Sequence, residues 1–255
     1  MIPVVIVILC GVLVGLAIAV TVHYFGSEPD TLTAGILELL PGANCGGCGY
    51  PGCSGYAKAL AEGKAKPGAC ASQTKENCDK MSALLGVAAE AKEPMVAVVC
   101  CSGGDDKALR KAFYNGVNNC RDAVQVASGS KTCAFGCVGL GACARACPFG
   151  AIEINEQNLA VVHPDICVGC GKCATICPKR LIKLVPRSVK IMVRCSNPNK
   201  GAVKVKVCKG ACIGCQKCVK TAPENMQMNG SLACVNLENP PQADLSQVCP
   251  TKALR

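Results

Sequence analysis

"CVGCGKCATICP", residues 167–178, is the stretch on which the reading of this chain turns. Cys167, Cys170 and Cys173 follow one another at C-x2-C-x2-C spacing, and Cys177 stands four residues further on, after three intervening residues and directly before Pro178. Three thiolates so close together wrap one face of a cubane iron–sulfur cluster, while the fourth points away and serves a neighbouring cluster. The crossing rule therefore looks for a partner run, and "CAFGCVGLGACARACP" at 133–148 supplies one. It assigns Cys147 to the cluster of Cys167, Cys170 and Cys173. Cys177 then joins Cys137 and Cys143, and that second set lacks a member.

Leu140 occupies the position where the missing cysteine is expected. Two readings stay open: Cys133 swings in as the fourth ligand, which is favoured, or the site holds a three-iron [3Fe–4S] cluster. Between the two runs, "AIEINEQNLAVV" has the alternation of a β-hairpin, and "RLIKLV" closes the unit. The same order recurs later. "CIGCQKCVKTAP" (212–223) is followed by "MQMNGSLACV", a hairpin turning at Asn229-Gly230, and then by "VCPTKAL". Cys120, Cys133, Cys137, Cys143 and Cys147 fall on Cys195, Cys208, Cys212, Cys218 and Ala222 at an offset of 75 residues, which points to internal duplication.

In the second copy Cys212, Cys215, Cys218 and the remote Cys249 are present. The cysteine expected at Ala222 and the three expected around "NPPQADLSQ" are gone together. Loss of one complete ligand set, with the other intact, is what crossed ligation predicts. An extra centre from Cys101, Cys120, Cys195 and Cys208 is a further reading, because Cys120–Cys133 and Cys195–Cys208 share one spacing; its alternative is buried free thiols.

"LPGANCGGCGYPGCSGYA" (40–57) opens another set, Cys45, Cys48, Cys53 and the later Cys70, at C-x2-C-x4-C-x16-C spacing. Zinc competes here, since it too takes four thiolates. Glycines beside the ligands let backbone N–H groups approach cluster sulfides, which favours iron–sulfur. The expectation is thus [4Fe–4S] clusters in four sites, one of them open to the three-iron alternative and a fifth open.

The 24 cysteines in 255 residues, with no Trp and only 3% aromatics, suit inorganic centres in place of part of a conventional core. Disulfide scaffolds are small and secreted, and their cysteines are not grouped in such runs. Residues 1–25 contain no Asp, Glu, Lys or Arg and have the length of a membrane span without the charged start of a signal peptide. Gly11 and Gly15 form a GxxxG that could seat another helix. The Lys-rich remainder favours a cytoplasmic body. Of the formal charge of +10, four clusters at about −2 each would leave about +2. "DKMSALLGVAAEAK" reads as a helix stopped before Pro94, and "MVAVVCC" as a strand. His23 and His163 are isolated, and no nucleophile with a base, Rossmann fingerprint or P-loop is present, so the chemistry left is electron transfer.

The fold class expected is α+β. It comprises a transmembrane helix over 1–26, a Gly/Cys-rich [4Fe–4S] module over 27–80 and an α/β connecting segment over 81–130. A two-cluster ferredoxin-like domain over 131–186 and a degenerate ferredoxin-like domain with one cluster over 187–255 complete it.

The uncharged N-terminus, "LPGANCGGCGYPGCSGYA" with Cys70, and "CAFGCVGLGACARACPFGAI" joined to "CVGCGKCATICP" together resemble the B subunits of the Rnf ion-translocating ferredoxin:NAD oxidoreductase complexes. The resemblance implies an electron-transfer subunit in a bacterial cytoplasmic membrane, single-pass, with its cluster domains on the cytoplasmic side. It implies soluble ferredoxin as electron donor, and membrane and flavin/NAD subunits as partners, with no nucleic acid. Flavin, nicotinamide and ion sites would belong to those partners, and the cysteines named above would be cluster ligands. Other readings are a reductase subunit that keeps a redox-sensing regulator reduced, a cobalamin-reactivating protein, for which a large cobalamin domain is missing, and a zinc-binding membrane scaffold.

Overall fold

A computed structural model describes residues 2–25, 31–88 and 93–255. Helix α1 runs from Ile2–Phe25. The side chains from Ile6 to Thr21 are all exposed. Among the described residues no helix is long and apolar enough to cross a membrane. The anchor expected over 1–26 rests on the sequence alone, with Met1 and Gly26 outside the described residues.

Helix α2 (Thr31–Glu38) buries Ile36 completely. It packs on α3 (Gly52–Ala61) and α4 (Lys75–Leu85) around Tyr56, Leu60 and Met81, and these form a small core of their own. Helix α4 begins earlier and ends earlier than the expected 79–92. Thr74 caps its start by accepting a hydrogen bond from Asn77 N–H at 3.3 Å. Gly86, at φ 64°, ends it in a left-handed cap. Residues 89–92 of the expected helix lie outside the described residues.

Strand β1 (Met95–Val99) is where expected, but it is no connecting element. It pairs antiparallel along its whole length with the strand that closes the first ferredoxin-like unit, Met95 opposite Pro186 and Val99 opposite Ile182. Val96 to Val99 are all buried. At roughly 1.5 kcal/mol or more for each large apolar side chain, that burial fastens the segment to the unit. Between them come α5 (Cys120–Gln125), α6 (Ala142–Arg145), the hairpin β2 (Ile152–Ile154) and β3 (Ala160–Val162), α7 (Lys172–Ile176) and finally β4 (Ile182–Pro186).

The second unit repeats this plan in reduced form, with α8 (Gly201–Val207), α9 (Lys217–Thr221) and the hairpin β5 (Met226–Asn229) and β6 (Leu232–Val235). The counterpart of the β1–β4 ladder has shrunk to one bridge, Val193 with Leu254, flanked by Met192 N–H donating to Arg255 C=O at 3.0 Å. Both units and β1 share one apolar core. The hairpin turns are held alike in the two. Gly139 (φ 85°) and Gly214 (φ 72°) sit so close to the turn that an added Cβ would lie 2.3 Å from Asn158 C=O and 2.8 Å from Ser231 C=O. Only glycine takes both the conformation and the approach.

Candidate functional site

In the amino-terminal module, Asn44 Oδ1 accepts a hydrogen bond from Cys53 N–H at 2.8 Å, which ties the glycine-rich loop to the start of α3. Tyr56 fixes the arm that carries Cys70. Its hydroxyl donates to Lys66 C=O at 2.8 Å and accepts from Ala69 N–H at 3.3 Å. Burial pushes the Tyr56 pKa up to about 12. The result is one neighbourhood: burial raises the Cys70 thiol, and Cys45, Cys48 and Cys53 add to this as nearby charges. These four are the amino-terminal set.

Two further sets follow the crossing rule in space. Cys147, Cys167, Cys170 and Cys173 line a cavity of about 300 Å³ together with Ala97, Phe149 and Ile152. This is the proximal set. Ala97 N–H donates to Cys167 Sγ at 3.4 Å and Ala151 N–H to Cys147 Sγ at 3.3 Å. Burial first, then Cys167 and Cys170, push the Cys173 thiol up to about 11.

The distal set departs from the sequence reading. Cys137, Cys143 and Cys177 line a cavity of about 420 Å³, and the fourth cysteine on its wall is Cys120, not Cys133. Burial, then Cys137, Cys120 and Cys177 in that order, push the Cys143 thiol up to about 12. Cys120 opens helix α5, whose start is capped by Asn119. Arg145 holds that corner against α6, donating to Leu140 C=O at 2.9 Å and to Asn118 C=O at 2.7 Å. Thus the fourth cysteine on this wall comes from a remote helix start.

Cys212, Cys215, Cys218 and Cys249 line a cavity of about 380 Å³ and form the carboxy-terminal set. At Cys249 burial opposes ionisation, but N–H groups of Leu254, Thr251 and Ala253 and the Thr251 hydroxyl win, holding the thiol below its ordinary value. Cys215 is the exposed member. The expected extra centre also changes membership. Cys101, Cys195 and Cys208 share a cavity, and Cys133 takes the place expected for Cys120. Cys10, Cys78, Cys100 and Cys234 stand outside these groups.

The residues present suit iron–sulfur clusters. Apart from the exposed Cys215, the thiols of these sets are buried or half-buried beside apolar hollows, and backbone N–H groups aim at several of their sulfurs, the pattern that stabilises anionic cluster sulfur. Among the described residues no three Cys, His, Asp or Glu side chains converge on a single-ion position. The sequence reading did not single out the buried cations nearby. Lys131 is only 2% exposed; its Nζ donates to Gly103 C=O at 2.9 Å and Asn158 C=O at 3.1 Å, and lies 3.7 Å from Asp105. Lys179 lies near Cys133, Cys137 and Cys101, and burial depresses its pKa despite their opposing pull. No motif marks these lysines in the sequence.

Such an arrangement defines a multi-cluster iron–sulfur protein of the ferredoxin type. Comparison with known families agrees: residues 40–72 match a family described as "Putative Fe-S cluster", and residues 132–181 match the "4Fe-4S dicluster domain". Along nearly its whole length the chain is similar to the B-subunit of the ion-translocating oxidoreductase complex of Methanosarcina acetivorans. The two are 35% identical over 246 residues, which is 96% of this chain and 93% of the relative. The B-subunit of the proton-translocating ferredoxin:NAD(+) oxidoreductase complex of Clostridium ljungdahlii is 38% identical, over 79% of this chain and 72% of its own. Its counterpart in the Na(+)-translocating complex of Acetobacterium woodii is also 38% identical, over 83% and 64%. The chain belongs to the family of B subunits of ion-translocating ferredoxin:NAD oxidoreductase (Rnf) complexes.

Proposed function

We propose that this subunit is the complex's entry carrier, taking electrons one at a time from reduced soluble ferredoxin and handing them towards membrane and flavin partners. The observation that supports this most is the contact between the first two sets. Gly47, between Cys45 and Cys48, lies so close to Cys170 that an added Cβ would stand 2.9 Å from the Cys170 Cα. When bound, a [4Fe–4S] cluster in each set supplies a reversible one-electron couple. The chain's own residues do the rest. Cys45, Cys48, Cys53 and Cys70 hold the amino-terminal site, and Cys147, Cys167, Cys170 and Cys173 the proximal one. Cys120, Cys137, Cys143 and Cys177 hold the distal site, and Cys212, Cys215, Cys218 and Cys249 the carboxy-terminal one. The N–H groups of Ala97, Ala151 and Leu181 stabilise anionic sulfur at Cys167, Cys147 and Cys177. Apolar walls from Val99, Ile154 and Leu181 keep water from the distal hollow.

A membrane anchor at the N-terminus, with the cysteine-bearing body on the cytoplasmic side, belongs to the same reading. It is supported by the uncharged sequence of 1–25. Deleting residues 1–26 would release the chain from washed membranes into the soluble fraction.

The test is to mix the anaerobically purified full chain with reduced ferredoxin and follow its visible absorbance. Stoichiometric bleaching is expected. If dithionite bleaches the protein and ferredoxin does not, ferredoxin is not the donor. If acid-labile sulfide is absent, the carrier reading falls entirely, and a zinc-bearing scaffold takes its place.

A further inference from the structure

The four sets above leave a second kind of site, one that neither repeat could build alone. Cys101, Cys133, Cys195 and Cys208 line one cavity of about 340 Å³, between the 300 Å³ of the proximal hollow and the 420 Å³ of the distal one. Cys101, Cys133 and Cys208 are buried and Cys195 is half-buried. Each repeat contributes an equivalent pair. Cys101 and Cys195 each follow a short extended segment and precede a serine, while Cys133 and Cys208 each stand four residues before the first cysteine of a ligand run. Their hydrogen bonds match too. Cys101 Sγ accepts from Gly103 N–H and from Cys137 N–H, both at 3.4 Å. Cys195 Sγ accepts from the N–H groups of Asn197 and Cys212, the residues in the corresponding places. Asn197 also donates its side-chain amide to Cys133 Sγ at 3.6 Å, across the seam.

We infer that Cys101, Cys133, Cys195 and Cys208 hold a further [4Fe–4S] cluster at the seam of the duplication, bridging the distal and carboxy-terminal sets. The inference rests on the electron-carrier reading. Chance would not give two halves of a site the same residues and the same donors. The thiols are also in the electrostatic setting of the other sets. Burial raises Cys208, with Cys133 and Cys195 adding to it, and the Lys131 ammonium acts on Cys101 and Cys208 in the opposite sense.

The position supplies the function. Cys137 belongs to the distal set and Cys212 to the carboxy-terminal set, and each reaches a junction sulfur through its own backbone N–H. The five sets thereby form a line: amino-terminal, proximal, distal, junction, carboxy-terminal. Without the junction site the last set is cut off by an empty hollow. In each transfer the donor centre is oxidised by one electron and its neighbour reduced by one; no bond is made and no proton is consumed.

The experiment measures iron, zinc and acid-labile sulfide in the anaerobically purified full chain, beside Cys195→Ala, Cys208→Ser and the control Cys234→Ala. The wild type and the control should hold about twenty irons with matching sulfide, and each junction variant about sixteen. In the junction variants the carboxy-terminal centre, read by its own electron paramagnetic resonance signal, should be reduced by ferredoxin at least about tenfold more slowly. About sixteen irons in the wild type, unchanged in the variants, overturns the inference but leaves the carrier reading intact. So does one zinc per chain that disappears with Cys195. Absence of sulfide would sink the carrier reading as well. The wild-type stoichiometry decides the matter even if a variant fails to fold.

Discussion

The two ferredoxin-like repeats share a backbone plan, yet the first encloses two four-cysteine sets of its own and the second only one. The difference is concentrated in a few positions. Cys147 of the first repeat corresponds to Ala222 of the second. Cys173, four residues before Cys177-Pro178, corresponds to Leu245, four residues before Cys249-Pro250. Cys173 and Leu245 are equally buried, each at 6% exposure. A leucine thus fills with hydrocarbon the place that a ligand occupies in the first repeat. What the second repeat kept is also telling. Gly214 still admits the hairpin turn, and Lys204, completely buried, donates its ammonium to Ser231 C=O at 2.8 Å as Lys131 does to Asn158 C=O. A ligand set can be lost as a unit while the scaffold that aims the remaining set persists.

The largest effect should come from exchanging the two cysteines that the linear spacing confuses. Cys120→Ala should strip or degrade the distal centre and abolish the magnetic coupling between the distal and proximal centres. Cys133→Ala should leave that coupling and remove about four irons from the seam. The opposite pattern would restore Cys133 to the distal set. Next come the paired glycines. Gly139→Ala meets a carbonyl at 2.3 Å and Gly214→Ala one at 2.8 Å. The first should cost about 3 kcal/mol and the second nearer 2 kcal/mol, read from denaturation of the loaded proteins. Equal losses would show that the repeats are held differently from the way described.

The amino-terminal module approaches the first repeat closely at Cys170. Gly47→Val should weaken that contact by about 1–3 kcal/mol and slow electron exchange between the amino-terminal and proximal centres in rapid-mixing experiments. Iron content should stay near the wild-type value. Lys131→Met removes a buried positive charge beside the distal and junction thiols. Potentiometric titration should find their midpoint potentials lower by on the order of 50–100 mV, with the amino-terminal centre unmoved. Cys78→Ala, outside every set, should change neither iron nor potential.

Much of this was readable from residue spacing, because a cubane imposes spacing directly on the chain. The crossed proximal and distal runs, the carboxy-terminal set and both hairpins, with the turn at Asn229-Gly230, follow from local pattern. The place of Cys120 did not. It shares the Cys195–Cys208 spacing with Cys133 by coincidence of loop length, and what carries it to the distal hollow is the Arg145 clamp on Asn118. A better signal was present: Cys101 and Cys195 each follow a strand-like segment and precede a serine. The β1–β4 ladder joins segments far apart in sequence, and no local period announces it. Helix α2 is short and buries only Ile36, so its periodicity was too weak to mark it in the sequence.

The seam between the repeats also bears on how the protein is made. The amino-terminal set is complete once residue 70 has been synthesised, and each of the other three single-module sets closes within a short run of chain. The junction set begins at Cys101 and lacks its last member until Cys208 emerges. At elongation rates of about 5–20 residues per second that interval is roughly 5–20 s. Of all the proposed ligands, Cys101 therefore spends longest as a nascent, unprotected thiol. A cell short of iron or under oxidant stress should lose the protein first at maturation of the seam, leaving chains whose other centres are filled but whose last one is isolated.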